Sequence, residues 1–223
     1  MNPILFLIAI FVIIDLFYVD KYLKKLAKEN SANKFYEESE LDAQIESILS
    51  KLQNIKGYKK FYVNAHVPKE NGETAKIDLI MVNEKGIFVF EPQNHEGLIV
   101  GNVKSKKWTE ISNSNKKHKF YNPILQNEAN IKALANFLQS DSPNVYNAYI
   151  VFNGKCELNI RGQANVHSIK SDLSKPSELI ENVSDFVENS PIILSHNQIM
   201  KIDLKLRETV NASNENKKVN LEN

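Results

Sequence analysis

Ile4 to Ile14 is an unbroken apolar run, and the apolar segment extends from Pro3 to Val19 with Asp15 as its one acid. A run without a polar face is not an amphipathic surface helix. Seventeen helical residues span roughly 25 Å, the short end for a bilayer. Lys21, Lys24, Lys25 and Lys28 follow directly, and the positive-inside rule assigns that side to the cytoplasm. No cation precedes the run and no small-residue cleavage site follows it, which argues against a removed signal peptide. The pattern predicts an uncleaved transmembrane helix over residues 1–19 and a charged linker over 20–38. The expected location is the cell membrane, single-pass, with the C-terminal domain cytoplasmic.

Past the linker the period changes from element to element. Leu41, Ile45, Ile48, Leu49 and Leu52 form a helical stripe, with Ser39 as its predicted N-cap. Tyr58 to Val67 reads as a strand. Two further strands, Ala75 to Val82 and Gly86 to Asn94, flank Asn83-Glu84-Lys85-Gly86, a hairpin signal. Trp108 to Ile111 is a short strand. Asn122-Pro123 opens a helix carrying Ile124, Leu125, Ile131, Leu134, Ala135 and Leu138. Asn147 to Phe152 is a buried strand and Val166 to Ile169 an edge strand. Helices over Leu179 to Val187 and Asn197 to Leu206 close a domain spanning 39–207. Residues 208–223 are polar, without period, and expected to be disordered. Mixed strands flanked by helices predict an α/β sandwich.

Composition excludes more than it selects. Net charge is +1, so no global field announces a polyanion. Cys156 is the only cysteine; an intramolecular disulfide is impossible and a buried thiol is expected. No Gly-rich phosphate loop is present, and no serine or cysteine sits in a nucleophile's context. NTP hydrolysis and acyl transfer therefore find no support.

The central hairpin carries the candidate chemistry. If Asn83 pairs with Gly86, paired numbers sum to 169, so Asp78 lies opposite Glu91 and Lys76 opposite Gln93. Residues two apart on a strand share a face, so all four polar groups converge. Two convergent carboxylates among apolar neighbours point to a divalent-metal site. A second feature is the segment from Lys104 to Lys119, read as a loop. It holds Lys104, Lys106, Lys107, Lys116, Lys117 and Lys119 with Trp108 and Phe120 interleaved, and Glu110 as its only acid. It is either a phosphate-contact strip or a solvated lysine-rich surface. His95 neighbours the carboxylates and is a minor ligand candidate.

Lys76-Ile77-Asp78-Leu79, Gly86 to Glu91, Asn94 with Gly97, Gly101 with Trp108, and Asn122-Pro123-Ile124-Leu125-Gln126-Asn127 occur in this order. Together they resemble the nuclease-related domain family, a branch of the PD-(D/E)xK nuclease superfamily. The resemblance implies a restriction-endonuclease-like mixed sheet flanked by helices. It implies Asp78 and Glu91 as catalytic acids holding Mg²⁺ (or Mn²⁺), with Gln126 near substrate phosphate or metal-bound water. It implies a helical acid, here Asp42, which either completes the metal shell or is a capping-box or solvated acid. Gln93 stands where the family has its catalytic lysine, and Lys76 where the family usually has Gln. The two have exchanged strands, roughly 5 Å apart at Cβ if directly opposed, a gap a lysine stem can cover. The implied function is a membrane-anchored metal-dependent nuclease acting on nucleic acid, DNA rather than RNA. The alternative is an inactive nuclease-fold module that binds nucleic acid or serves as a membrane-tethered scaffold.

Overall fold

The computed structural model describes residues 21, 23–25, 27, 28, 31, 38–140, 142–164, 166–168 and 178–221. The predicted transmembrane helix lies outside them, and no described helix is long and apolar enough to cross a membrane. The chain divides into two compact units, Met1–Asp42 and Ala43–Asn223. Described residues of the first unit are helical. Ser39, expected to cap a helix, is itself helical and preceded by helical Glu38.

In the second unit, α1 (43–52) buries Ile45, Ile48 and Leu52, the spacing its apolar stripe predicted. The main sheet contains β1 (Lys59–Pro68), β2 (Thr74–Asn83), β3 (Gly86–Gln93), β7 (Tyr146–Phe152) and β9 (Val166–Ser168) in the order β1-β2-β3-β7-β9. The first three strands form an antiparallel meander; β7 runs parallel to β3, and β9 parallel to β7. The return from β3 to β7 passes through α2 (Pro123–Leu138), the crossover a parallel neighbour requires. Residues 77–82 and 86–92 are all buried, as expected of central strands covered on both faces.

Alternation sorts the two faces. Ile80, Val82, Ile87 and Val89 pack with Leu134 and Leu138 of α2 and with Ile199 and Leu206 of α4 (His196–Leu221). Phe88 points the other way. It meets Phe186 of α3 (Glu178–Asn189) edge-on at 5.5 Å and lies against Tyr149, whose hydroxyl donates to Asn182 Oδ1 of α3. α4 is latched to β1 by Asp203, which accepts from Lys60, Tyr62 and Arg207. It runs to Leu221, so residues 208–221, expected to be disordered, are helical, and the last two residues lie outside the described ones.

A second sheet was largely hidden from the sequence pattern. Its order is β6-β5-β4-β8: β6 (Lys117–Tyr121), β5 (Lys107–Ile111), β4 (Gly97–Asn102) and β8 (Cys156–Arg161). The segment from Lys104 to Lys119 is therefore not a loop but a turn followed by an antiparallel hairpin. On the sheet's inner face Trp108 and Ile99 form a small core with Ile150 and Phe152 of β7, with Phe120 against it. Gly101 lets Trp108 in: a Cβ there would lie 2.5–2.7 Å from three indole carbons. The pairing of Gly101 with Trp108 thus has a steric cause.

Candidate active site

The β2–β3 register is the predicted one, from Asn83↔Gly86 to Leu79↔Phe90. The Glu84-Lys85 turn is tightened by Asn83, whose Oδ1 accepts from the Lys85 N–H at 2.8 Å. The paired ladder ends at Leu79 and Phe90 although both strands continue, and Pro92 offers no N–H for further pairing. Asp78 and Glu91 are the first residues beyond that end. The two acids thus face each other where the strands cease to be hydrogen-bonded.

Glu91 is held in place from α2. Gln126 Nε2 donates to its Oε1 at 2.8 Å and Asn130 Nδ2 to its Oε2 at 3.3 Å. These residues are four apart, so one helical face presents both amides. Asn127, fully buried beside them, donates to the carbonyl of Val89 at 3.1 Å and fixes α2 against β3. The helix starts where the sequence placed it. Asn122 is the N-cap, its Oδ1 accepting from the Ile124 N–H, and Pro123 opens the first turn.

Burial first, and the charge of Asp78 second, push the Glu91 carboxyl up to about 8, while Asn130 and Lys76 pull it down. Lys76 Nζ lies 2.7 Å from Asp78 Oδ1 as an ion pair. That oxygen is buried and accepts no well-aligned hydrogen bond. Across β2 the β1 ladder skips Asn64, flanked by Val63↔Leu79 and Ala65↔Ile77. Asn64 has φ 53 and a buried Oδ1 without a partner. A left-handed residue in the middle of a strand is a strained feature of the kind that gathers at functional sites. Two coupled carboxylates and unpartnered amide and carboxylate oxygens are hard donors, suited to a magnesium- or manganese-sized cation. Among the described residues no cluster of three or more His, Cys, Asp or Glu could hold a metal.

The predicted residues differ in placement. Asp78, Glu91, Lys76 and Gln126 come together. Gln93 turns back, its Nε2 donating to the Pro92 carbonyl at 3.0 Å and lying 3.5 Å from Glu91 Oε1. Lys76 is paired with His66 of β1 on one side, and on the other the β2–β3 ladder ends before it reaches Gln93. Asp42 lies in the first unit and is exposed. His95 is engaged elsewhere: it stacks on Phe120 at 4.1 Å and its Nδ1 lies 3.1 Å from Glu110. Cys156, expected to be buried, is half-buried, and burial pushes its thiol up to about 11. Lys104 and Lys106 occupy the β4–β5 turn, Lys116 the β5–β6 turn, and Lys107, Lys117 and Lys119 the hairpin strands; all six are exposed.

Sequence reading gave Asn127 no role and missed Asn130, Asn64 and Gln44. The last donates from Nε2 to the Val151 carbonyl at 2.8 Å. The polar spacing Asn122, Gln126, Asn130 along one helical stripe was visible, but amides on a helix are ordinarily solvent-facing. Asn64 gave no signal beyond an Asn inside a strand.

The nuclease-related domain model matches residues 35–153. The chain belongs to the nuclease-related domain family. Over 146 residues it is 34% identical to an uncharacterized protein of Bacillus anthracis, a match covering 65% of this chain and 64% of that relative. The chain thus spans just under two thirds of the relative's length. No solved structure matches significantly. The nuclease-related domain region takes in β1 to β7, α1 and α2, and so contains Asp78, Glu91, Gln126 and Asn130.

Proposed function

We propose that this protein is a membrane-anchored, divalent-metal-dependent nuclease that hydrolyses phosphodiester bonds, with DNA as its substrate. The observation that carries the reading is the pair Asp78 and Glu91 facing each other past the end of the β2–β3 ladder, with the Lys76 ammonium 2.7 Å from Asp78. Family membership supports a nuclease-like fold. The anchor rests on the apolar run before Lys21.

Asp78 and Glu91 would hold Mg²⁺ or Mn²⁺. Bound there, the cation supplies Lewis-acid activation of water and neutralises charge at phosphorus. Gln126 and Asn130 hold the Glu91 carboxylate in one orientation, so its lone pairs are presented rather than free to rotate. Lys76 takes the part of the family's lysine, stabilising negative charge beside Asp78. The exposed lysines of the second sheet bind phosphates without reading sequence.

Gln93 in the lysine position favours a second reading, a binding module with a retired site. Plasmid cleavage by the full chain with Mg²⁺ or Mn²⁺ separates the two. Metal-dependent cleavage that disappears in Asp78→Ala is the expected result. No cleavage with either metal leaves the binding module.

A further inference from the structure

We infer that the outer face of the β5–β6 hairpin is a platform for single-stranded polynucleotide, with Tyr121 stacking a base. The inference rests on the nuclease reading for the class of ligand and specifies its strandedness.

The register assigns the face. Lys107 lies opposite Tyr121, Thr109 opposite Lys119 and Ile111 opposite Lys117, so these six side chains share one side of the hairpin. The other side carries Trp108 and Phe120 into the small core. Glu110, the one acid, is also on that inner side. Its oxygens are taken by the Glu96 N–H and His95 Nδ1, both at 3.1 Å. The outer face is thus cationic without an opposing carboxylate of its own. Tyr121 is 51% exposed on it, whereas Trp108 is 1% exposed. β6 is the sheet edge and pairs with β5 alone among the described residues.

Lysines two apart on a strand repeat at roughly 6.6–6.8 Å, close to the phosphate spacing of an extended single strand. An exposed aromatic among lysines supplies what single-strand binders combine, a cationic track and a stacking surface. A duplex keeps its bases stacked inside and has no use for Tyr121.

The platform is joined to the carboxylates through Asn122. This fully buried residue caps α2 while its Nδ2 donates to the carbonyls of Val103 (3.1 Å) and Ser105 (2.8 Å). Its N–H donates to the Lys106 carbonyl at 3.0 Å. The lysine-bearing β4–β5 turn is thereby pinned to the start of the helix whose Gln126 and Asn130 touch Glu91. Tyr121 immediately precedes that cap, so the platform and the helix that holds Glu91 are linked through a single buried residue.

The test is equilibrium binding by the full chain in detergent, with chelator present so that no cleavage intervenes. The probes are a labelled single strand of roughly 12 nucleotides and its duplex. Wild type is expected to prefer the single strand. Tyr121→Leu should weaken single-strand binding roughly tenfold and leave duplex binding unchanged, and Tyr121→Phe should bind like wild type. Lys117→Gln with Lys119→Gln should flatten the log–log salt slope by about 0.7 per lysine for the single strand. Equal single-strand affinity in Tyr121→Leu and wild type, or a duplex preference in wild type, overturns the inference. Tyr121→Leu is compared at an unchanged melting temperature, and a weakening shared by Tyr121→Phe also counts against stacking. The cleavage assay stands apart: absent cleavage with Tyr121-dependent binding defeats the nuclease reading and leaves the platform standing.

Discussion

Glu91→Gln turns the electrostatics of the site into a stability measurement. Glu91 is 3% exposed, and burial together with Asp78 raises its carboxyl from 4.5 to about 8. Below pH 4.5 the group is protonated in folded and unfolded chains alike and contributes no slope. Between 4.5 and 8 the unfolded chain loses the proton while the folded one keeps it, so stability falls as pH rises. Above 8 both states are ionised and the slope ends. At about 1.36 kcal/mol per pH unit, the wild type loses roughly 3 kcal/mol between pH 4.5 and 7. Glutamine is isosteric and neutral. Once the Gln126 or Asn130 amide turns over to offer its oxygen, both still hydrogen-bond the new side chain, and it has no such slope. In urea titrations with chelator, the variant should match wild type near pH 4. At pH 7 its midpoint should be higher by roughly 1–2 M. On the proposed ligand assignment Mg²⁺ takes the ionised form, so it should restore the wild type by mass action and leave the variant unmoved. A stability difference independent of pH would refute the coupling of Glu91 to burial and to Asp78. A metal response equal in both chains would refute the ligand assignment.

Three further outcomes follow from other parts of the molecule. Lys76→Gln should abolish cleavage by about 100-fold or more while keeping the metal-induced rise in melting temperature, and the added change Gln93→Lys should recover activity; activity created by Gln93→Lys alone would show that Lys76 does not substitute. Gly101→Ala should destabilise by about 1–3 kcal/mol in denaturant titration, because the new methyl group meets the buried Trp108 ring. Asp203→Asn should be less stable than wild type above pH 4 by about 1–2 kcal/mol, the gap closing as pH falls toward 2: the cations Lys60 and Arg207 and the Tyr62 hydroxyl hold the Asp203 carboxyl at about 2 against the opposing effect of burial, so its contribution is present above 3.8 and lost as acid protonates it.

The parts legible in the sequence are those that a short period or a local turn determines. Asn83 to Gly86 fixes its own turn by an Asx contact, so the register and the meeting of Asp78 with Glu91 could be counted from it. α2 announced itself through Asn122-Pro123, since cap and first-turn proline act within four residues. The second sheet was not legible for a physical reason. Its strands are short, β5 and β6 having five residues each, and their lysines reproduce the composition of a loop. Only the partner strand shows that Trp108 and Phe120 share a side. The Gly101–Trp108 pair could be seen as a pattern but not understood, because its cause is a ring lying on a backbone.

The site illustrates a more general limit. Periodicity locates residues that satisfy themselves by burial, and it placed the acids because their neighbours Ile77, Leu79, Phe90 and Val89 are core. It cannot locate residues whose polar atoms are satisfied only across the fold. Asn127 and Asn130 occupy buried positions of α2 where the apolar stripe leads one to expect leucine or alanine. Burying an amide without a partner costs about 1–3 kcal/mol, so each implies a specific acceptor: the Val89 carbonyl for Asn127 and the Glu91 carboxylate for Asn130. An asparagine at a helical core position is therefore itself a pointer to a polar group on the facing strand. On α2 that pointer converges with the hairpin register on Glu91, the same carboxylate reached from two elements whose sequences carry no common motif.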